Sequence, residues 1–174
     1  MKTGSGERTG QAPTITIRRA TSADGEGILG CLHSAFQPFQ HQYTPGAYSD
    51  TVLNRNTLQD RLREMVVFVA VSDSDEVIGT IGCNARDGEG HLRGTAVVPG
   101  WQGRGISKLL LDRAESHLRG NGCNRITLDT TEPLKRATRF YERNGFSATG
   151  RTVDFFGMPL FEYQKRLEIS SINI

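Results

Sequence analysis

The hydrophobic pattern of the chain switches between short strand-like runs and helical stripes. Apolar and polar residues alternate over 14–18, which predicts a half-buried strand at the start of the fold. The unbroken apolar run at 65–71 is typical of a central strand that is covered on both faces. Further strands are predicted over 76–83, 90–98, 125–130, 146–150 and 160–167. Helical spacing of apolar residues predicts helices over 21–36, 57–64, 106–119 and 132–143.

The order of these elements is β-α-α-β-β-β-α-β-α-β-β. Successive strands followed by β-α-β-α units indicate a mixed sheet with helices on both faces. The expected class is α/β with mixed α+β character, built on a mostly antiparallel sheet of six to seven strands. The stretch 37–49 contains Pro38, Pro45 and Gly46 and is predicted to be a substrate-facing loop or a short helix with a loop. An alternative is that its aromatic residues only pack the segment onto the core.

Length and composition narrow the class of protein. The chain of 174 residues favours one domain, at 14–168, with 1–13 as a flexible leader and 169–174 as a C-terminal tail. No apolar run approaches the length of a membrane span, so no membrane partner is expected. A net charge of +2 gives no signal for nucleic-acid binding. The three cysteines form no C-x-x-C pair, which favours a reduced, cytoplasmic protein without a metal site.

A glycine-rich turn joins the strand that ends near Val97 to the helix that begins at Ile106. Gly103 and Gly105 remove side chains where the backbone must turn sharply. The first N–H groups of a helix have no partners within it, so they suit an anion such as a diphosphate. The Rossmann and Walker A spacings both fail here, because neither the third glycine nor a Gly-Lys pair is present. The turn is therefore a phosphate cradle of another kind or an ordinary strand-to-helix connection.

Two segments carry a resemblance to a known family. Residues 102–107 resemble the Q/R-x-x-G-x-G/A loop with which GNAT N-acetyltransferases hold the diphosphate of coenzyme A, with Ser107 in place of the last Gly/Ala. Residues 136–146 are similar to the A-x-x-F-Y-x-x-x-G-F segment of that family. The resemblance covers roughly Ile15 to Leu167 and implies a GNAT-like sheet, acetyl-CoA as co-substrate, and direct attack of an amine in a ternary complex. Leu134 departs from the family, since many members have an asparagine there that contacts coenzyme A.

The resemblance assigns cofactor roles to two runs of residues. The backbone of the strand end would face the pantetheine and the thioester, and the glycine-rich turn would hold the diphosphate mainly through N–H groups. The residues so assigned are Thr95, Ala96, Val97, Gln102, Gly103, Arg104, Gly105, Ile106, Ser107 and Lys108. Because a lysine in a first helical turn is more often solvated than bound, the side chain of Lys108 is a secondary candidate.

Two residues are candidates for proton transfer. By resemblance, Tyr141 protonates the departing thiolate, and a phenol with an ordinary pKa of about 10 keeps its proton at neutral pH. His91 lies where other family members carry a catalytic glutamate or histidine, and an imidazole with a pKa of about 6.5 suits proton abstraction from an amine. Glu89 and a water molecule are the alternatives for the base. Without the family match, Tyr141 is more simply a core aromatic and His91 a structural histidine.

The acceptor is predicted to lie between the Phe36–Tyr48 loop and the Val153–Phe161 segment, which both carry aromatic residues. Asp154 and Glu162 would attract a cationic amine there, unless they are only solvated. The acceptor would be a small-molecule amine or a protein amine, and a homodimer is one expectation for the assembly. The alternative to an enzyme is a non-catalytic module that binds acyl-CoA as a sensor or interaction partner.

Overall fold

One sheet of seven strands organises the computed structural model, which describes residues 12–168. The strands are β1 (Ile15–Arg19), β2 (Val66–Ser72), β3 (Val77–Arg86), β4 (Glu89–Val97), β5 (Arg125–Thr131), β6 (Ser147–Phe155) and β7 (Met158–Arg166). Their order is β1-β2-β3-β4-β5-β7-β6, with β4 and β5 parallel and the other described pairs antiparallel. The predicted mixed, mostly antiparallel sheet is thereby confirmed. Residues 1–11 and 169–174, which hold most of the predicted leader and the whole predicted tail, lie outside the described residues.

Five α-helices within residues 12–168 cover the two faces of the sheet. They are α1 (Gly25–Phe36), α2 (Pro45–Thr51), α3 (Arg55–Glu64), α4 (Ile106–Gly120) and α5 (Lys135–Arg143). Ile28 of α1 and Leu58 of α3 belong to one buried cluster, whereas Leu110 of α4 and Tyr141 of α5 belong to another. Helices therefore lie on both faces, as predicted. Across the described part of the chain, no helix is both long enough and apolar enough to pass through a bilayer.

The apolar run of β2 is explained by these two layers. Side chains of a strand alternate between its faces. Val67 and Val69 accordingly join the cluster of α1 and α3, while Phe68 and Ala70 join the cluster of α4 and α5. All four are buried. Because neither face of β2 meets solvent, its sequence shows no polar alternation.

The start of α3 shows how a polar side chain extends a helix beyond its apolar stripe. Asn54 Oδ1 accepts hydrogen bonds from the N–H groups of Asn56 (2.9 Å) and Thr57 (3.0 Å). The helix begins at Arg55 rather than at Thr57, because this N-cap satisfies the first N–H groups.

The helix α5 begins later than predicted, whereas α3 begins earlier. The Leu134 N–H donates to the Thr131 carbonyl over 3.1 Å, which closes a turn that contains Pro133. The helix therefore begins at Lys135, and the proline lies before its first turn. The predicted start of this helix at residue 132 was therefore wrong.

An ion pair joins the first strand to the first helix. Arg18 Nη1 and Nη2 each donate to a carboxylate oxygen of Asp24 over 2.8 Å, and the Thr21 N–H donates to the same carboxylate over 2.7 Å. The hydrogen bonds from Arg18 lower the pKa of Asp24 to about 2, although burial opposes this shift. Asp24 is 7% exposed, so this charge pair belongs to the packed part of the fold.

The parallel strands β4 and β5 separate partway along their length. Their register pairs Glu89–Leu92 with Arg125–Leu128 and then stops, while β4 stays paired with β3 as far as Val97. The register of β4 on β3 shifts around Gly94, whose φ of +66° is typical of a bulge. Beyond Leu92, β4 and β5 therefore face a gap rather than each other.

Candidate active site

A cavity of about 490 Å³, the loop cavity, opens between the glycine-rich turn, the end of β4 and α5. The predicted cofactor residues in its lining are Thr95, Val97, Gln102, Gly103, Gly105, Ile106, Ser107 and Lys108. Ala96 and Arg104 are not in the lining. The Ala96 carbonyl instead accepts a hydrogen bond from the Cys31 thiol over 3.8 Å, and the Arg104 guanidinium lies 4.8 Å above the centre of the Trp101 ring. The structure thus brings together the predicted cofactor residues with these two exceptions.

The glycine-rich turn has the backbone geometry of an anion site. Gly103 and Gly105 have φ values of +77° and +78°, the left-handed region in which other residues are strained. Gly105 is the N-cap of α4 and contributes no side-chain cap. The N–H groups in the first turn of α4 therefore lack a side-chain acceptor from this position, and the helix dipole adds positive potential. The turn is fixed to the strand end by Gln102 Nε2, which donates to the Val97 carbonyl over 3.0 Å.

Basic side chains surround this turn. The loop cavity is lined by Lys108, Arg136 and Arg143. Arg136 Nη1 donates to the Gln102 side-chain oxygen over 3.2 Å, whereas Lys108 forms an ion pair with Asp112 along α4. Arg136 is a candidate that sequence reasoning missed, and the available signal was its place directly before Ala137 in the matched segment.

Tyr141 lies where the loop cavity meets a second cavity of about 380 Å³, the central cavity. Tyr141, Thr95 and Leu134 line both cavities. Tyr141 is 7% exposed and contacts Phe140 and Phe146 edge to face, with ring centroids 5.3 and 5.5 Å away. Burial raises the pKa of the Tyr141 phenol above its ordinary value, an effect that Thr95 partly offsets. The phenol therefore keeps its proton at neutral pH and is available as a donor at the junction.

His91 lines the central cavity together with Asp129 of the neighbouring strand. The parallel register places His91 beside Thr127, whose Oγ1 lies 3.0 Å from His91 Nδ1. His91 Nε2 lies 3.7 Å from Asp129 Oδ2. Burial lowers the pKa of His91, against the attraction of Asp129, and burial raises the pKa of Asp129, against the attraction of His91. The lowered pKa favours a neutral imidazole at pH 7, with Asp129 beside it.

Glu89, the alternative base, lies in a third cavity of about 490 Å³, the outer cavity. His91 and Asp129 also line this cavity, so it continues from the central one. Glu89 Oε2 accepts a hydrogen bond from Arg125 Nη1 over 2.7 Å. Glu89 is thus held in an ion pair and does not line the cavity that contains Tyr141, whereas His91 does.

The two segments predicted to enclose the acceptor contact each other. Residues 37–42 form a 3-10 helix that leads towards α2, so the alternative of a short helix is correct. Thr44 Oγ1 donates to the Phe156 carbonyl over 2.7 Å, which joins this segment to the turn between β6 and β7. The Tyr43 hydroxyl lies 2.6 Å from Thr131 Oγ1 at the end of β5. Aromatic residues from both segments line the central cavity, namely Phe36, Tyr43 and Phe155.

The two carboxylates predicted to attract a cationic amine lie elsewhere. Asp154 accepts a hydrogen bond from the Gly157 N–H over 3.3 Å and lines none of the three cavities. Glu162 lines the outer cavity, where Thr149 Oγ1 donates to it over 3.0 Å and Arg151 Nη1 over 3.3 Å. The carboxylate that the central cavity offers beside His91 is Asp129, which sequence reasoning missed.

The cysteines take no part in these cavities. Cys31, Cys83 and Cys123 are buried, and burial raises the pKa of the Cys31 and Cys83 thiols to about 12. None of the three lines the loop, central or outer cavity, so none is placed to act as a nucleophile there. Over residues 12–168, no cluster of three or more His, Cys, Asp or Glu side chains could hold a metal ion.

Known proteins share both the sequence pattern and the fold. The model of the acetyltransferase (GNAT) family matches residues 29–146, and the chain belongs to that family. Aminoglycoside N(6')-acetyltransferase type 1 from Stenotrophomonas maltophilia is 29% identical over 158 residues, which cover 86% of this chain and 96% of that protein. Mycothiol acetyltransferase from Propionibacterium freudenreichii subsp. shermanii is 26% identical over 136 residues. That match covers 76% of this chain but 43% of the relative, so the chain spans less than half of that protein's length.

A solved structure agrees with this assignment. The PaiA N-acetyltransferase from Thermoplasma acidophilum, in complex with coenzyme A, superposes with a TM-score of 0.75 at 20% identity. The match covers 88% of this chain and 99% of that chain. At this level of identity the likeness concerns the fold, and it confirms the GNAT-like architecture expected from the sequence.

Proposed function

We propose that the protein is an N-acetyltransferase that moves the acetyl group of acetyl-CoA to an amine by direct attack in a ternary complex. The observation that carries this proposal is the junction of the loop and central cavities at Tyr141. On one side of the junction is a turn suited to an anion, and on the other side is a histidine next to a carboxyl group. The two substrates of such a transfer would enter from these two sides.

The loop cavity fits coenzyme A in charge and in polarity. The first-turn N–H groups of α4 and the guanidinium of Arg136 would hold the diphosphate. Trp101 and Phe140 give the cavity apolar surface for the rest of the molecule. Beyond Leu92 the backbone of β4 lacks a β5 partner, so the strand end near Thr95 has room for the amide groups of the pantetheine. Acetyl-CoA, when bound, supplies an acyl group activated as a thioester.

Leu134 occupies the position of the asparagine found in many family members. It lines both cavities and packs against the cluster of α1 and α3. Its side chain has no hydrogen-bonding group, so this position offers only apolar contact to the pantetheine. We therefore assign polar contacts with the pantetheine to the backbone of β4 rather than to this side chain.

Proton transfer follows from the residues on the two sides of the junction. His91 Nε2 would accept the proton that the amine loses when its nitrogen bonds to the acyl carbon. The imidazolium formed there is stabilised by the Asp129 carboxylate, 3.7 Å away. The Tyr141 hydroxyl would donate a proton to the sulfur as the carbon–sulfur bond breaks. No covalent acyl-enzyme is needed, and holding both substrates in one cleft supplies much of the acceleration.

The central cavity favours a small-molecule acceptor over a protein one. Its volume of about 380 Å³ lies within the range of small-molecule pockets. Aromatic side chains from the 37–49 segment and from the β6–β7 turn enclose it. A protein terminus would have to enter as an extended segment between these two elements.

A screen of amines with acetyl-CoA tests the proposal. Release of free thiol above background, together with a product heavier by one acetyl group in mass spectrometry, is the expected result. The screen includes an aminoglycoside, because a relative carries that activity in its name. Coenzyme A binding without thiol release from any amine would instead support the non-catalytic acyl-CoA sensor. Absence of coenzyme A binding in calorimetry would overturn both functions.

A further inference from the structure

A second charged group lines the central cavity away from the reacting residues. Arg61 of α3 extends beneath the bulge of β4, where a Cβ on Gly94 would lie 2.5 Å from Arg61 Nη1. The guanidinium thus fills the space that the glycine leaves. Asp50, Glu64 and Arg93 also line this cavity, and all three lie close enough to Arg61 to influence its pKa.

The Arg61 guanidinium lacks a partner among the described residues. Asp50, the carboxylate on α2, forms an ion pair with Arg93. In residues 12–168 the hydrogen bonds and ion pairs include none made by the side chain of Arg61, although the residue is only partly exposed. Burial and the positive charge of Arg93 lower the pKa of Arg61 to about 10, against the attraction of Asp50 and Glu64. A guanidinium has five N–H donors, so Arg61 can accept a ligand without giving up a hydrogen bond or ion pair within residues 12–168.

The position of Arg61 connects this charge with the reaction. Gly94, which Arg61 contacts, directly precedes Thr95, and Thr95 lines both the central and the loop cavity. Tyr141 and His91 line the central cavity with Arg61. One small molecule in this cavity would therefore contact Arg61 at one point and the catalytic pair at another.

We propose that the acceptor is an amine that also carries a carboxylate, and that Arg61 binds this carboxylate while the amine faces His91 and Tyr141. The inference rests on the proposed acetyltransferase function and names its substrate class. A guanidinium binds a carboxylate through two parallel N–H···O bonds, which also fixes the orientation of the ligand. Asp129, which lines the same cavity beside His91, would supply the negative charge that attracts an ammonium group before it loses its proton. The cavity is thus complementary to an amino acid or a related amino acid derivative.

The test compares acids with their own amides as acceptors. ω-Amino acids of increasing chain length and common α-amino acids are each assayed beside the corresponding primary amide, which removes the charge and little else. The best acid is expected to show a kcat/KM roughly 10- to 100-fold above that of its amide. Arg61→Gln is expected to lower turnover of the acid far more than turnover of the amide, so that the ratio falls close to one. Arg61→Lys keeps the positive charge but not the planar, two-pronged guanidinium. Its acid-to-amide ratio of kcat/KM is expected to lie between those of the wild type and Arg61→Gln.

Arg63→Gln is the matched control. Arg63 lies on the same helix, is exposed, and pairs with Asp60 outside the cavities. This variant is expected to keep the wild-type ratio of acid to amide. Amides that react as well as acids in the wild type would overturn the carboxylate inference while leaving the acetyltransferase function intact.

A binding measurement separates the two proposals. Calorimetry of the best-fitting acid with protein saturated in coenzyme A does not require turnover. Binding of the acid to the wild type that Arg61→Gln abolishes would support the site even if no amine were acetylated. Equal binding to both proteins, or no binding of any acid to the wild type, would overturn it.

Discussion

His91 Nε2 lies 3.7 Å from Asp129 Oδ2, although the two strands that carry these residues have stopped pairing one residue before Asp129. The Asp129 carboxyl group therefore approaches the His91 imidazole at the point where β4 and β5 separate, beyond their last paired residues. Thr127 holds the other ring nitrogen at 3.0 Å. These two contacts orient the ring of His91, which lines the central cavity.

The pH dependence of turnover tests the role of Asp129. Burial lowers the pKa of His91, while Asp129, Glu162 and Glu89 raise it and Arg93 lowers it further. A base must be deprotonated to act, so the acid limb of kcat/KM is expected below the ordinary imidazole value of about 6.5. Asp129→Asn removes a charge that raises the pKa of His91, so the acid limb of kcat/KM is expected to move to lower pH. Because His91 is then a weaker base, the rate at neutral pH is expected to fall roughly tenfold.

The profiles are measured with one acceptor, so that the titration of its own amine is common to all variants. Asp73→Asn, in the exposed turn between β2 and β3, is the control and is expected to match the wild type. His91→Ala is expected to lose kcat/KM most strongly above the acid limb, where the wild-type imidazole is neutral, and to lose the limb that His91 causes. A His91→Ala profile parallel to the wild type would assign the proton to water instead.

Tyr141→Phe tests the general acid. Phenylalanine keeps the edge-to-face contacts with Phe140 and Phe146 and removes only the hydroxyl. A fall in kcat of about 100-fold or more is expected, since the leaving sulfur loses its proton donor, while the affinity for coenzyme A stays within about twofold. Tyr163→Phe is the control, because Tyr163 packs against the core and lines none of the three cavities. If Tyr141→Phe lost affinity for coenzyme A to the same extent as kcat, the hydroxyl would have a structural role rather than a catalytic one.

Gly105→Ala tests the glycine-rich turn. At φ +78° an alanine costs about 1–2 kcal/mol, and relief of this strain would turn the first N–H groups of α4 away from their present direction. Calorimetric titration is expected to show an affinity for coenzyme A at least about tenfold weaker. Gly120→Ala at the other end of α4 is the matched control, since a Cβ there meets open space and the residue is helical. Unchanged affinity in Gly105→Ala would remove this turn from the binding site.

The Arg18–Asp24 pair predicts a specific acid sensitivity. The pKa of Asp24 is lowered to about 2 in the folded chain, below the value of about 3.9 expected for the unfolded chain. Its contribution to stability is therefore fully present above about pH 4 and is lost as the pH falls towards 2. Asp24→Asn is expected to cost roughly 2 kcal/mol at pH 7 in urea unfolding and to flatten the pH dependence over that window. Asp60→Asn, whose partner Arg63 is exposed, is expected to change stability by less than about 0.5 kcal/mol.

The sequence predicts most of the elements because their apolar periods are strong. The β2 strand and the α4 helix were predicted from hydrophobic pattern alone, whereas the role of the glycine-rich turn was suggested only by its resemblance to the family loop. The start of α5 was misplaced because the Thr131–Leu134 hydrogen bond competes with the helical preference of a proline in the first turn. The sequence also contained Asn54, a residue type that favours helix N-caps, but a prediction based on apolar spacing does not use it.

The missed site residues share a different cause. Asp129 meets His91 only through the parallel pairing of β4 with β5, and no local pattern reveals which strands become neighbours. Arg61 reaches the cavity because Gly94 leaves room for it in a bulge of another element. Each depends on the position of a segment distant in sequence. Hydrophobic periodicity in one sequence indicates which side chains share a face of a helix or strand. It does not indicate which helices and strands become neighbours.

The separation of β4 from β5 also governs how the sheet holds together. Within residues 12–168, strands β1–β4 and strands β5–β7 form two groups joined in the sheet by the short parallel segment Glu89–Leu92 with Arg125–Leu128. A ligand that bridges the two groups would supply contacts where the β4–β5 ladder is missing, so its binding is expected to stabilise the folded sheet. The interruption that leaves room for a ligand is therefore also the place where a bound ligand would add most to the cohesion of the sheet.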